Sequence, residues 1–216
     1  MSAERTVRIP SGRAQMEGML EIPEGARGVV LFAHGSGSGR FSPRNQFVAR
    51  VLREGGLGTL LLDLLEERES QDRSKVFDIG LLAERLLSAT AWLQADPETK
   101  DLAIGYFGAS TGAAAALEAA ARGGYEIKAI VSRGGRPDLA TEYLPRVTAP
   151  TLLIVGGNDR PVIPLNEEAF ERLPGVKEMV IVPGASHLFE EPGTLEEVAR
   201  LAREWFSKYL AMNAGE

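Results

Sequence analysis

The stretch IGYFGASTGAAAA, residues 104–116, carries an apolar strand into Gly108-Ala109-Ser110-Thr111-Gly112 and then into a run of alanines. Where a strand turns this abruptly into a helix, Ser110 sits on a sharp bend, and the flanking glycines remove side chains for which the crowded backbone has no room. The hydroxyl is thereby pushed outward at the end of the strand. In a chain with 24 glycines the G-x-S-x-G pattern is weak taken alone, so its surroundings decide its meaning.

Outward from the bend, apolar runs alternate with amphipathic segments. Gly28–Ala33 (GVVLFA) has the continuous apolar character of a strand buried on both faces, and it ends in His34-Gly35-Ser36-Gly37-Ser38-Gly39. Ser42 and Pro43 suit the cap and first turn of a helix bearing Phe47, Val48, Val51 and Leu52, stopped by Gly55-Gly56. Residues 58–65 read as a second buried strand. The charged run over 66–75 that follows reads as a solvated loop. Asp78 caps a helix ended by Asp96-Pro97, residues 102–107 enter the bend, and Thr111–Arg122 forms the helix beyond it.

Further strands are expected at 127–132, 151–155 and 178–182, with helices near 139–143 and 164–173 between them. A last helix is opened by a Thr194-x-x-Glu197 capping box. Residues 5–10 and 15–22 read as an antiparallel hairpin at the sheet edge. The alternation predicts an α/β fold: a mostly parallel sheet flanked by helices on both faces, preceded by the N-terminal hairpin. A chain of 216 residues fits one domain, here residues 1–216.

Composition removes several function classes. With 44% hydrophobic and 25% charged residues the chain reads as an ordinary soluble protein, with no apolar run long enough to cross a bilayer. Met1-Ser2-Ala3-Glu4-Arg5 lacks the pattern of a secretory leader, so the cytoplasm is the expected compartment. The absence of cysteine excludes disulfides, thiolate zinc sites and a cysteine nucleophile. A net charge of -6 opposes nucleic acid as a partner. No metal, cofactor or membrane contact is expected, and no feature fixes an oligomeric state.

In a sheet of this kind the loops at the carboxyl ends of the strands share one edge. Ser110, Asp159 and His187 each follow a predicted strand, and their order is that of a nucleophile, an orienting acid and a base. Imidazole can take the serine proton and return it near neutral pH, and a carboxylate fixes its tautomer. The oxyanion needs donors, which the backbone N–H groups of Thr111 and Ser36 would supply. Asp63 is the alternative acid, and His34 reads as a residue that shapes the loop. Arg40, Arg133 and Arg136 leave the same edge, where any of them could hold an anionic substrate group or pair with rim carboxylates.

Taken together, His34-Gly35-Ser36-Gly37, Gly108-Ala109-Ser110-Thr111-Gly112, Gly157-Asn158-Asp159 and Gly184-Ala185-Ser186-His187-Leu188-Phe189 resemble the α/β-hydrolases, and within them the compact dienelactone hydrolase-like branch. The resemblance runs from about residue 28 to residue 210. It implies the α/β-hydrolase fold and a carboxyl-ester hydrolase that works through an acyl-enzyme without metal or organic cofactor, on a small-molecule ester. Dienelactone hydrolases proper carry Cys where this chain has Ser110, so dienelactone itself is not carried over as substrate. Fewer than twenty residues separate the strands at 127–132 and 151–155, which leaves no room for a lid domain and points to an open, shallow pocket. The 66–75 segment is expected to wall that pocket or to form a small flap over it. A thioesterase, amidase or acyl transferase would use the same residues, and a noncatalytic binding protein is the reading from another class.

Overall fold

A computed structural model describes residues 3–210 of the chain. Residues 1, 2 and 211–216, and with them the ends of the expected single domain and the start of the segment read for a leader, lie outside the described residues. Eight strands form one sheet: β1 (Arg5–Ser11), β2 (Ala14–Glu21), β3 (Gly28–Ala33), β4 (Gly58–Leu62), β5 (Ala103–Ala109), β6 (Ile127–Arg133), β7 (Thr151–Gly156) and β8 (Lys177–Val182). Their order is β1-β2-β4-β3-β5-β6-β7-β8. β1 and β2 are antiparallel to each other, and β2 is antiparallel to β4. The pairs from β4 to β8 are parallel.

The helices are α1 (Pro43–Glu54), α2 (Glu67–Ser70), α3 (Arg73–Val76), α4 (Ile79–Ala95), α5 (Thr111–Arg122), α6 (Ile163–Arg172) and α7 (Thr194–Leu210), with 3₁₀ turns at Pro137–Ala140 and Leu144–Arg146. None of them is long and apolar enough to cross a membrane.

Side-chain alternation divides the core in two. Val29, Leu31, Ile104 and Tyr106 face α4 and α5, packing with Leu82, Leu86 and Leu117. Val30, Phe32, Phe107 and Val131 face α1 and α7, packing with Leu52, Val198 and Phe206. Every residue of β3, β5 and β7 is buried, as expected for central strands covered on both faces. β1 alternates buried and exposed positions, which is the pattern of a strand wet on one side.

The local signals act largely as read. Ser42 Oγ accepts the Asn45 N–H at the start of α1, and the Asp78 carboxylate accepts the Leu81 N–H at the start of α4. Two readings change. The 66–75 run is not a plain solvated loop but holds α2 and α3, because Glu69, one of its charged residues, is buried. The expected capping box is not formed either. Thr194 lies inside α7, its hydroxyl donates to Glu191 O at 2.8 Å, and the Glu197 N–H donates to Gly193 O, so the helix begins one residue earlier than a cap at Thr194 would allow.

Candidate active site

The bend after β5 forces Ser110 into φ 51, ψ -120, a left-handed conformation that a residue with a side chain rarely holds. Its glycines are required by space rather than by φ. A Cβ at Gly112 would lie 2.1 Å from Ala33 O, and one at Gly108 would lie 2.4 Å from Ala113 Cα. Glycine at 108 therefore lets β5 meet the start of α5, and glycine at 112 lets α5 meet the end of β3. The Ser110 N–H donates to Arg133 O (3.3 Å) and Ser110 O accepts from the Arg136 N–H (3.1 Å), which locks the bend onto the end of β6.

The loops after β7 and β8 bring Asp159 and His187 together. His187 Nδ1–H donates to Asp159 Oδ2 at 2.6 Å, so Nε2 is the nitrogen left to accept a proton. Asp159 is 8% exposed, whereas the His187 side chain reaches solvent. The two loops are stitched by Asn158 N–H to Ala185 O (2.9 Å) and Asn158 Nδ2 to Gly184 O (3.0 Å). Ser186 N–H donates to the Glu191 carboxylate, and buried Phe189, at φ 54, anchors the turn beyond His187 in the α1/α7 core.

Gly134 links this pair to the bend. It follows Arg133, whose carbonyl takes the Ser110 N–H, and a Cβ built on it would lie 3.5 Å from His187 Nδ1. Among the described residues the Ser110 hydroxyl makes no hydrogen bond.

Ser36 and Thr111 line one cavity of about 190 Å³ together with Gly35, Val76 and Leu82. Thr111 opens α5, so its N–H is among those with no partner inside the helix. Gly35 packs against the serine, since a Cβ there would lie 3.1 Å from Ser110 Cβ. The α2–α3 segment contributes Ser70 and Val76 to the wall.

His34 is structural in its contacts. Nε2 accepts the Leu64 N–H at 3.0 Å, which makes Nδ1 the protonated nitrogen facing Gly35 O at 2.9 Å. Burial pushes this imidazole below its ordinary value, so it stays neutral. The carbonyl of the same residue, Leu64, accepts Arg85 Nη1–H (3.1 Å). Arg85 grips Glu69 with two bonds of 2.8 Å. A buried ion pair thus ties the α2 wall to α4 and, through Leu64, to the loop that carries Ser36. These two residues had no signal in the sequence beyond charge.

The three edge arginines differ in their contacts. Arg40 pairs with Asp63 and with Glu17, so the alternative acid Asp63 is itself engaged there. Arg136 makes a two-point pair with Asp138. Arg133 is buried and has no carboxylate partner among the described residues. Among the described residues no cluster of His, Asp and Glu could hold a metal ion.

Comparison with known proteins agrees with this architecture. A family model described as the dienelactone hydrolase family matches residues 16–212. A dienelactone hydrolase from Anabaena variabilis is 58% identical, with a TM-score of 0.94 over 97% of this chain and 99% of that one. Est1E from Butyrivibrio proteoclasticus shares the fold at 16% identity, with a TM-score of 0.80 over 94% of this chain and 98% of its own. Proteins from two strains of Mycobacterium tuberculosis that carry a phosphoribosyl transferase name are 55% identical over 96% of this chain and 47% of theirs. The chain therefore spans about half the length of those relatives.

Proposed function

The chain belongs to the dienelactone hydrolase family, and on that premise we propose that it is a serine hydrolase cleaving small carboxylic esters through an acyl-enzyme on Ser110. The observation that carries this reading is a serine held at positive φ on the bend, at the sheet edge where an aspartate hydrogen-bonds an imidazole at 2.6 Å. Ser110 Oγ attacks the ester carbonyl as His187 Nε2 takes its proton, and Asp159 holds the imidazole by Nδ1 and stabilises the imidazolium. The oxyanion is bound by the N–H groups of Thr111 and Ser36, each such donor contributing about 3 kcal/mol to the transition state. Collapse breaks the C–O bond to the alcohol, which leaves with the proton from His187. Water, deprotonated by the same imidazole, then releases the acid and restores Ser110.

A lactone is a cyclic ester, so the activity in the name of the Anabaena relative breaks the same type of bond. The family match covers residues 16–212, so the phosphoribosyl transferase name of relatives about twice as long supplies no reaction for this chain. A series of nitrophenyl esters graded by acyl length, run beside matched thioesters and anilides, tests the reading. The small cavity leads us to expect the highest kcat/KM on short acyl esters, falling as the chain lengthens. Turnover of thioesters or anilides well above that of esters would replace the esterase reading with the thioesterase or amidase one.

A further inference from the structure

Asn166 lies near the start of α6 and is fully buried. Its Nδ2 donates to Val162 O at 3.0 Å and to Gly135 O at 3.1 Å, the second acceptor being 31 residues away in sequence. Two carbonyl oxygens can be met only by the NH₂ end of the amide, so its orientation is fixed. The other end gains nothing from the position, since Oδ1 is buried with no partner among the described residues. Val162 O already takes the Asn166 backbone N–H (3.1 Å), so α6 can begin without the side chain. A buried oxygen left unmet costs stability and calls for a reason. The bond to Gly135 supplies one.

Gly135 belongs to a segment that touches the other parts of the site. Residues 133–136 bracket the bend, because Arg133 O takes the Ser110 N–H and the Arg136 N–H donates to Ser110 O. A Cβ on Gly134 would lie 3.2 Å from His187 O and 3.5 Å from His187 Nδ1. Gly135 is buried against α5, where a Cβ would lie 2.7 Å from Ala113 Cβ. At the far end of the amide, the Val162 and Ile163 N–H groups both donate to Asp159 O (3.1 and 3.3 Å). One side chain therefore runs from the turn that carries the acid to the segment that holds the serine and packs against the base. The pairing of β6 with β7 stops at Arg133 and Ile154, before either loop begins. Past that point the Gly134 N–H, donated to Ile154 O (2.8 Å), and the Asn166 amide fasten one side to the other.

We propose that Asn166 is a positioning residue that holds the Asp159 turn, and with it the Asp159–His187 pair, in register with the Ser110 bend. It touches no reacting atom. The inference rests on the reading of Ser110, Asp159 and His187 as a triad and adds the group that sets their spacing. A shift of about 1 Å between reacting groups costs on the order of a hundredfold in rate.

Asn166→Leu removes both donors while keeping the branched outline, and Asn166→Ala, which cannot overfill the site, serves if leucine does not fold. Thr90→Val is the control, since it deletes a buried hydroxyl bonded to Leu86 O and Tyr106 on the α4 side. On nitrophenyl acetate, below the Tm of each protein, kcat should fall about a hundredfold in the Asn166 variants with KM within about twofold of wild type. Thr90→Val should keep the wild-type kcat whatever it loses in Tm. A second readout needs no turnover. The chain has two histidines, and the 2.6 Å bond to Asp159 places the His187 Nδ1–H proton at low field in the NMR spectrum, where its loss in His187→Ala assigns it. That resonance should shift or broaden in the Asn166 variants and stay in Thr90→Val. A kcat within about threefold of wild type in a folded Asn166 variant, a loss carried by KM alone, or an unchanged resonance overturns the proposal. If wild type cleaves no ester, the acyl-enzyme reading fails and the resonance decides alone. Moved in the Asn166 variants, it supports the positioning role; unmoved, or missing from wild type, it overturns it.

Discussion

The two sides of the Ser110 bend treat buried charge in opposite ways. On the α4 side Glu69 and Arg85 satisfy one another and the Leu64 carbonyl, and together they build a wall. On the α1 side Arg133 Nε and Nη1 and Arg44 Nε are buried with no hydrogen-bond partner among the described residues. A matched pair holds structure, whereas an unmatched buried charge costs stability. The contrast separates a charged pair that builds the site's wall from buried charges that stay unpaired among the described residues.

The largest effects come from the machinery both sides serve. Ser110→Ala should lower kcat by roughly 10⁶-fold with an intact fold, since serine and histidine in such a site act as one unit. Residual turnover close to wild type would leave the bend as a mere support between two unlike walls. Asp159→Asn should cost about 10⁴-fold by presenting the wrong imidazole tautomer. Measuring it beside Asp63→Asn distinguishes the acid bonded to His187 from the acid bonded to Arg40.

Smaller effects separate the sides themselves. Arg85→Met removes two charge-assisted bonds from Glu69, which keeps the Glu66 N–H and Lys75 at 3.5 Å, and should cost about 2–3 kcal/mol in urea unfolding, with a raised KM for short esters as the wall loosens. Arg133→Met, on the opposite side, should leave the protein at least as stable as wild type, since it removes a buried charge that has no partner among the described residues. Equal losses from both substitutions would erase the comparison. The smallest effect is in pH. Hydrogen bonding to Arg85 holds Glu69 near 2, below its ordinary 4.5. The folded value is depressed, so its contribution is complete above about 4.5 and disappears as pH falls toward 2. Glu69→Gln should remove that component of the acid-unfolding curve, which equilibrium unfolding at stepped pH would resolve.

Much of this was legible in the residues. The strand and helix alternation, the edge hairpin and the bend at Ser110 rest on local rules of pattern and crowding, and the glycine clearances show why residues 108 and 112 had to be glycine. Asp159 and His187 could be placed on one edge because parallel strands end together. A wall from residues 66–75 was legible but what builds it was not, because Glu69 becomes a buried helical residue only through Arg85, sixteen positions away. The arginines divide for the same reason. Arg136 finds Asp138 two residues on, a pairing local enough to be read, but Arg40 depends on Asp63 and Arg133 on what it lacks. The pattern at Thr194 misleads because T-x-x-E one residue inside a helix looks the same as T-x-x-E at its start.

The central claim is that the Ser110 hydroxyl becomes a nucleophile through His187. Treating the protein with a fluorophosphonate and locating the adduct by peptide mass spectrometry tests it most directly. The account predicts one stoichiometric adduct on the peptide containing Ser110, absent in Ser110→Ala and strongly slowed in His187→Ala. A correctly folded wild-type protein that takes up no label, or takes it up on another residue, would contradict it.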